Sequence, residues 1–288
     1  MLKICWGVVC SVGVGTDRGG RQHNEDNYLA CLENQTQWME KGHAVRRPAV
    51  GHGIVLAVCD GLGGHQDGAV ASRAAVKAMS RLYQPVPPSD PERTLLRYVR
   101  EAHTQLYWKA RGKGSVEMGT TLTLCWLMGT KMAWCQVGDS RLHVYRDGTL
   151  SCLTQDQTVN TFARRDGRTE LEKGNHLAQC FIYGSRGIGD NTQLRLDQGV
   201  DSGTCEMLAS DWLLLTTDGC HDFVRRERLQ NIMSSSDSPQ QIASQCVEAA
   251  VDGGSRDNIT VLVAKIEQLG SVLTDVQEDD DDEATFIF

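Results

Sequence analysis

Between Gly119 and Thr154 the chain reads GTTLTLCWLMGTKMAWCQVGDSRLHVYRDGTLSCLT. Apolar runs of strand length are interrupted at short intervals by "MGTK", "VGDS" and "RDGT", which are turn sequences. A parallel pair needs a crossover of a dozen or more residues, usually a helix, and there is no room for one here. These strands therefore pair as antiparallel neighbours. That stretch alone excludes an all-helical fold and a doubly wound parallel sheet.

The flanking sequence supplies the other elements. "ICWGVVCSVGVGTD", "NYLACLE", "GIVLAVCD", "LRLDQG", "CEMLA", "DWLLLTTD" and "NITVLVAKI" read as strands. "DGAVASRAAVKAMSRLYQ" and "ERTLLRYVREAHTQLYWKAR" carry apolar residues at helical spacing, with Ser89 or Asp90 placed to cap the second and Pro91 in its first turn. "VRRERLQNIM" and "SPQQIASQCVEAAV" are also helical. Residues 33–53 are polar and aperiodic and read as a loop, and 158–190 as short helices and a flap. No internal repeat occurs. Strand runs alternating with pairs of helices give an α+β fold, antiparallel sheets with helices outside. Residues 1–269 form the folded unit, and 270–288, which contain "EDDDDE", an acidic disordered tail.

With 288 residues, 40% hydrophobic and 23% charged, the chain can bury a large core without staples. Its net charge of -8, much of it in the tail, comes with no basic stripe and argues against nucleic acid or an anionic membrane as partner. The 11 cysteines include no Cys-x-x-Cys pair, and several lie inside apolar runs, as reduced core residues of a cytoplasmic protein do. The apolar N-terminus reads as a first strand rather than an export signal, and no apolar run approaches the ~18 residues of a membrane span.

Acidic residues recur where strands end. Asp60 closes "LAVCD" and is followed by "GLGGH"; Asp218 closes "LLLTTD"; Asp139 follows "WCQVG"; Glu25 and Asp26 precede "NYLA"; Asp257 precedes "NITVLV". Turn chemistry accounts for any one of them. Gathered at one sheet edge, they would repel one another unless cations neutralise them. An all-oxygen set without a histidine or cysteine cluster suits Mg²⁺ or Mn²⁺, and glycines beside Asp60 let backbone and water approach. Two such ions ~3.5–4 Å apart clamp a phosphoryl group for hydrolysis. Arg21, just before Glu25, is placed to hold the phosphate through a two-pronged guanidinium.

The segments "GGRQHNEDNY", "VLAVCDGLGGHQDGAVAS", Gly119–Thr154, "DWLLLTTDGCHDFV" and "GGSRDNITVLV" occur in an order that resembles the metal-dependent serine/threonine protein phosphatases of type 2C, the PPM family, in its bacterial branch. The resemblance covers roughly residues 5–266. It implies a sandwich of two antiparallel sheets flanked by helices on both outer faces. It also implies hydrolysis of phosphoserine and phosphothreonine by a water or hydroxide bridging two Mn²⁺ or Mg²⁺ ions, in opposition to a serine/threonine kinase. On this resemblance Asp26, Asp60 and Asp218 hold the two core ions, Gly61 gives its carbonyl, Asp257 closes the site and Glu25 acts through water. Asp139 joins Asp218 on a third ion, and Arg21 binds the substrate phosphate. The implied partner is a phosphorylated protein, and the chain is read as a monomer. Three places depart from the pattern: Leu62 stands where animal members carry a histidine, Gln157 replaces another histidine, and 158–190 match poorly. His65 reads as a structural residue. The competing reading is a catalytically weak regulatory or binding module of the same family, which would have lost a ligand; every expected carboxylate is present. The acidic run with its terminal "TFIF" reads first as a solubilising tail with an apolar end; the alternative is a docking peptide, with Thr285 a kinase target.

Overall fold

The computed structural model describes residues 9–62, 66–112, 118–165, 177–178, 180–181 and 199–269. The chain starts with β1 (Val9–Asp17), β2 (Asn27–Leu32), β3 (Gln35–Glu40), β4 (His43–Pro48), β5 (Ile54–Cys59) and the short β6 (Gly61–Leu62). Helices α1 (Gln66–Met79) and α2 (Pro91–Gly112) follow. Asp90 caps α2 by accepting the Arg93 N–H at 3.0 Å, and Pro91 takes the first helical position, where a missing N–H costs nothing. Next come β7 (Gly119–Thr120), β8 (Leu122–Met128), β9 (Lys131–Val137), β10 (Arg141–Arg146) and β11 (Thr149–Cys152); β8 pairs with β9 and β10 with β11, while the chain changes sheet between β9 and β10. Then come α3 (Val159–Arg165), β12 (Asp201–Glu206), β13 (Trp212–Thr216), α4 (Asp218–His221), α5 (Arg226–Met233), α6 (Pro239–Asp252) and β14 (Ile259–Gln268).

Two antiparallel sheets carry the architecture. One runs β1-β14-β13-β10-β11, the other β12-β9-β8-β5-β2-β3-β4. The alternation of side chains sorts the core into layers. From β5, Ile54, Leu56 and Val58 face Leu142, Leu213, Leu215 and Leu262 between the sheets. Its other face, Val55, Ala57 and Cys59, packs on Ala71, Ala75 and Met79 of α1 and Leu95 and Val99 of α2. On the opposite side Leu214, Val261 and Val263 meet Ile242, Ala243 and Cys246 of α6. Central strands covered on both faces explain the unbroken apolar runs. The result is the expected sandwich with helices on both outer faces.

Residues 33–53 are not a loop. They hold β3 and β4, joined to β2 and to each other by two-residue turns with positive φ at Glu33 (50°) and Asn34 (60°), and at Lys41 (52°) and Gly42 (81°). Positive φ at both central residues matches the twist of paired strands. The apolar pattern is missing because β4 is the sheet edge, exposed at every residue but the half-buried Val45. The strand at "CEMLA" shifts to Asp201–Glu206, where it pairs with β9. "LRLDQG", most of 158–190, His65 and the acidic tail lie outside the described residues.

Candidate metal centre

Strand register brings the acidic residues to one end of the sandwich. Asn27 pairs with Cys59, so Asp26, just before β2, and Asp60, just after β5, leave their sheet side by side. In the other sheet Thr216 pairs with both Arg141 and Val261, so Asp139, Asp218 and Asp257 emerge together. The two ends coincide: the Thr217 hydroxyl donates to Asp26 Oδ2 at 2.9 Å.

Each position is braced. The Asp60 carbonyl accepts from the Thr121 N–H and the Thr120 hydroxyl, both at 2.8 Å, and its own N–H donates to Thr121 Oγ1 at 2.8 Å. Thr121 Oγ1 lies 2.8 Å from Ser140 Oγ, which joins the Asp60 turn to that of Asp139. Gly138, at φ 108°, exchanges two bonds with Gln157, through the Gln157 side-chain oxygen at 2.8 Å and its N–H at 2.9 Å. The residue that departs from the family pattern thus holds the Asp139 turn. Gly61 has no positive φ; it is glycine because a Cβ there would collide with the backbones of Gly68 and Glu25. Gly68 is small for the same reason, since the Glu25 carboxylate lies against it.

The electrostatics are those of crowded, desolvated acids. Burial raises the Asp26 carboxyl to about 7, with Asp218 and Asp257 adding to the shift and the Thr260 and Thr217 hydroxyls opposing it. Burial, then Asp26 and Asp218, push Asp60 well above the usual range. Asp218 is also raised by burial, while its interaction with the neighbouring Asp60 carboxyl opposes that shift and raises Asp60 in turn, so the two titrate as a pair. Burial followed by Asp218 and Asp156 lifts Asp139 to about 8. Asp26 Oδ1, Asp139 Oδ1 and Asp218 Oδ1 are buried with no hydrogen-bond partner. Orphaned carboxylate oxygens are expensive, and a cation is the group that satisfies several at once.

An all-oxygen donor set of this kind fits a hard divalent cation. Among the described residues no three acidic, histidine or cysteine side chains close on one point as a ready cage. The acids meet in pairs around Asp218, an arrangement that suits ions held by few carboxylates with water completing the shell. Asp257 stands at the rim, where its Oδ2 lies 2.9 Å from Arg21 Nη2, both side chains substantially exposed. Leu62 brings no titratable group to the site. The sequence reading missed the braces Thr120, Thr121, Thr217 and Asn258. Asn258 accepts the Glu25 N–H at 2.9 Å and donates to the His23 carbonyl at 2.9 Å, so it stitches the two rim turns together. Their signal was the polar clustering in "GTT", "TTD" and "DNIT".

Known proteins resemble this chain in sequence and fold. The family profile described as protein phosphatase 2C matches residues 44–249. The serine/threonine protein phosphatase PstP of Mycobacterium tuberculosis is 30% identical over 237 residues, 80% of this chain. The match takes in only 45% of that relative, so the chain spans less than half of its length. The serine/threonine phosphatase stp of Listeria welshimeri is 28% identical over 257 residues, covering 87% of this chain and 93% of that protein. The solved catalytic domain of PstP in complex with two manganese ions superposes with a TM-score of 0.70 at 28% identity, over 91% of this chain and 100% of that one. The chain belongs to the protein phosphatase 2C family.

Proposed function

We propose that the protein is a Mn²⁺- or Mg²⁺-dependent phosphatase of phosphoserine and phosphothreonine in proteins. The observation that carries this reading is the meeting of Asp26, Asp60, Asp139 and Asp218 at one sandwich end, with three buried oxygens unsatisfied. Asp26, Asp60 and Asp218 would hold two core ions with the Gly61 carbonyl, Asp257 and, through water, Glu25. Asp139 with Asp218 would hold a third. When bound, such ions supply Lewis acidity that makes a coordinated water nucleophilic near neutral pH. The chain's own residues do the rest. The threonine braces keep the carboxylates fixed while charge changes hands, and Arg21, half-exposed beside Asp257, is free at its outer edge to take a phosphate oxygen. Relatives named as serine/threonine phosphatases support the substrate class, and the manganese in the PstP structure supports the metal.

The physiological setting in this reading is opposition to a serine/threonine kinase by a monomer in the cytoplasm, with the tail docking a partner. The nine cysteines whose side chains are described are all free, as a reducing compartment leaves them. No described helix is long and apolar enough to cross a membrane. The test is hydrolysis of p-nitrophenyl phosphate and of a phosphothreonine peptide with and without Mn²⁺. Metal-dependent turnover of both, abolished by EDTA, is expected. Metal binding without turnover of either would leave the family's binding-module reading in its place.

A further inference from the structure

At the rim of the acidic floor three arginines stand among the carboxylates of Asp17 and Asp257. Two turns abut at the rim: the Gly20 N–H donates to the Arg256 carbonyl at 3.0 Å, and Gly19, at φ 56°, packs so tightly on Asp257 that no Cβ fits. A Cβ on Gly20 would stand 3.3 Å from Arg256 Cβ and 3.6 Å from its Cγ, so the arginine stem crosses the Gly20 backbone. Arg18, Arg21 and Arg256 therefore rise from one compact platform, and all three are exposed. Among the described residues, Arg21 is the one of the three that is ion-paired, to Asp257. Arg18 spends one nitrogen on the Gln22 carbonyl at 3.0 Å. Arg256 has no ion pair among the described residues. The nearby Asp17 carboxylate already accepts the Gly19 N–H at 2.7 Å.

A guanidinium carries five donors in a fixed fork and matches carboxylate or phosphate oxygens. Arg21 answers one phosphate; Arg18 and Arg256 are surplus to that need. The chain's net charge is -8, so an acidic substrate meets general repulsion, and a local cationic rim beside the site decides how it docks. We infer that Arg18 and Arg256 are specificity residues that select phosphoprotein segments bearing a second anionic group, an acidic side chain or another phosphate, near the phosphoresidue. This rests on the phosphatase reading above and names the substrate class of that same site.

The experiment measures kcat/KM with Mn²⁺ on phosphothreonine peptides whose flanks are neutral, Glu-rich, Lys-rich or carry a second phosphothreonine, placed on either side. The wild type is compared with the double variant Arg18→Gln, Arg256→Gln, which keeps long stems over the turn, and with Arg256→Glu. Thermal unfolding verifies that each variant is folded. The wild type should prefer anionic over neutral flanks by roughly three- to tenfold, with the preference eroding as salt is added. The double variant should bring the ratio near one, and Arg256→Glu should tilt it toward Lys flanks. Equal preference for glutamate and phosphate means recognition of charge alone; preference for the doubly phosphorylated peptide only means forked recognition of phosphate. Equal kcat/KM on all peptides in the wild type, or a preference untouched in the variants, overturns the inference and leaves the phosphatase reading standing. No metal-dependent turnover of any peptide or of p-nitrophenyl phosphate overturns both.

Discussion

Asp211 and Asp139 are buried to the same depth, 2% and 4% exposed, yet the protein treats them in opposite ways. Asp211 lies in the turn before β13. Arg146 grips both of its oxygens, at 2.7 and 2.5 Å, and the Leu208 N–H adds a bond at 2.6 Å. Asp139, in the turn before β10, keeps one oxygen without any partner and faces other acids. Asp156 repeats the first pattern only a short way from the second, held by Arg141 at 2.8 and 2.6 Å. So the fold has arginines available to neutralise buried carboxylates and withholds them at the sandwich end where Asp26, Asp139 and Asp218 meet. Asp211 and Asp156 are balanced by the chain; under the proposed metal-site reading, Asp139 and its neighbours are left for a cation from solution.

The sharpest way to break this comparison is to remove one charge from each region. Asp60→Asn or Asp218→Asn should cut kcat at least ~100-fold, beyond the usual penalty for an outer-shell change, while the circular dichroism spectrum and thermal midpoint are retained. Asp211→Asn should do the reverse, losing ~1–3 kcal/mol of stability and little turnover per folded molecule. Wild-type activity in Asp218→Asn, measured with Mn²⁺, would remove the distinction between the two kinds of acid.

The second test uses pH. Asp26 and Asp139 have folded-state values near 7 and near 8, above the ordinary aspartate value of 3.8. A raised carboxyl contributes stability at low pH, and that contribution fades as pH climbs from about 4 through about 8. The metal-free protein should therefore weaken across this window, and a bound cation, which favours the charged form, should restore it. The gain in Tm on adding Mn²⁺ to EDTA-treated protein should be larger at about pH 8 than at about pH 5.5, by roughly 5 °C. An equal gain at both values would mean that the buried acids do not meet the ion.

How much of this was legible in the sequence follows from the same physics. Central strands such as β5 and β13 are covered on both faces, so their apolar runs are continuous and easy to read. β4 is exposed, and only its turn residues, Glu33-Asn34 and Lys41-Gly42, betray the hairpins. The clustering of the acids was readable because residue type and strand end coincide. Their braces were not, because they depend on which strands become neighbours. Asn258 reaches Glu25 across 233 residues of chain and Thr217 reaches Asp26 across 191, and nothing local to "DNIT" or "TTD" announces those partners.

Arg21→Ala should have a smaller effect than losing a core acid. The arginine is more than half exposed and, among the described residues, its side chain is paired with Asp257. Its loss should raise KM at least as much as it lowers kcat, since it removes binding rather than the attacking group. Unchanged steady-state constants on a phosphothreonine peptide would take Arg21 out of the site and leave the rim with no phosphate to organise around.

The smallest effect should come from the acidic segment 275–288, which lies outside the described residues. β14 starts at Ile259, beside Asp257 and the other acids, and runs 10 residues to Gln268. At ~3.3 Å per residue the strand carries the chain ~30 Å away from the site before the segment begins. Leu269 still packs on the inter-sheet core, and a cut at residue 275 spares that contact. Deleting 275–288 should leave Tm unchanged and hydrolysis of p-nitrophenyl phosphate within about twofold of the full chain, because a run of six acidic residues offers a core little apolar surface to bury. Action on the physiological phosphoprotein should fall, since "TFIF" and the acids before it are the groups that would dock a partner by apolar contact and charge. The two activities are measured side by side in the truncated and full-length proteins. Equal loss of both would put the tail in the catalytic body, and no loss of either would leave it a solubilising extension.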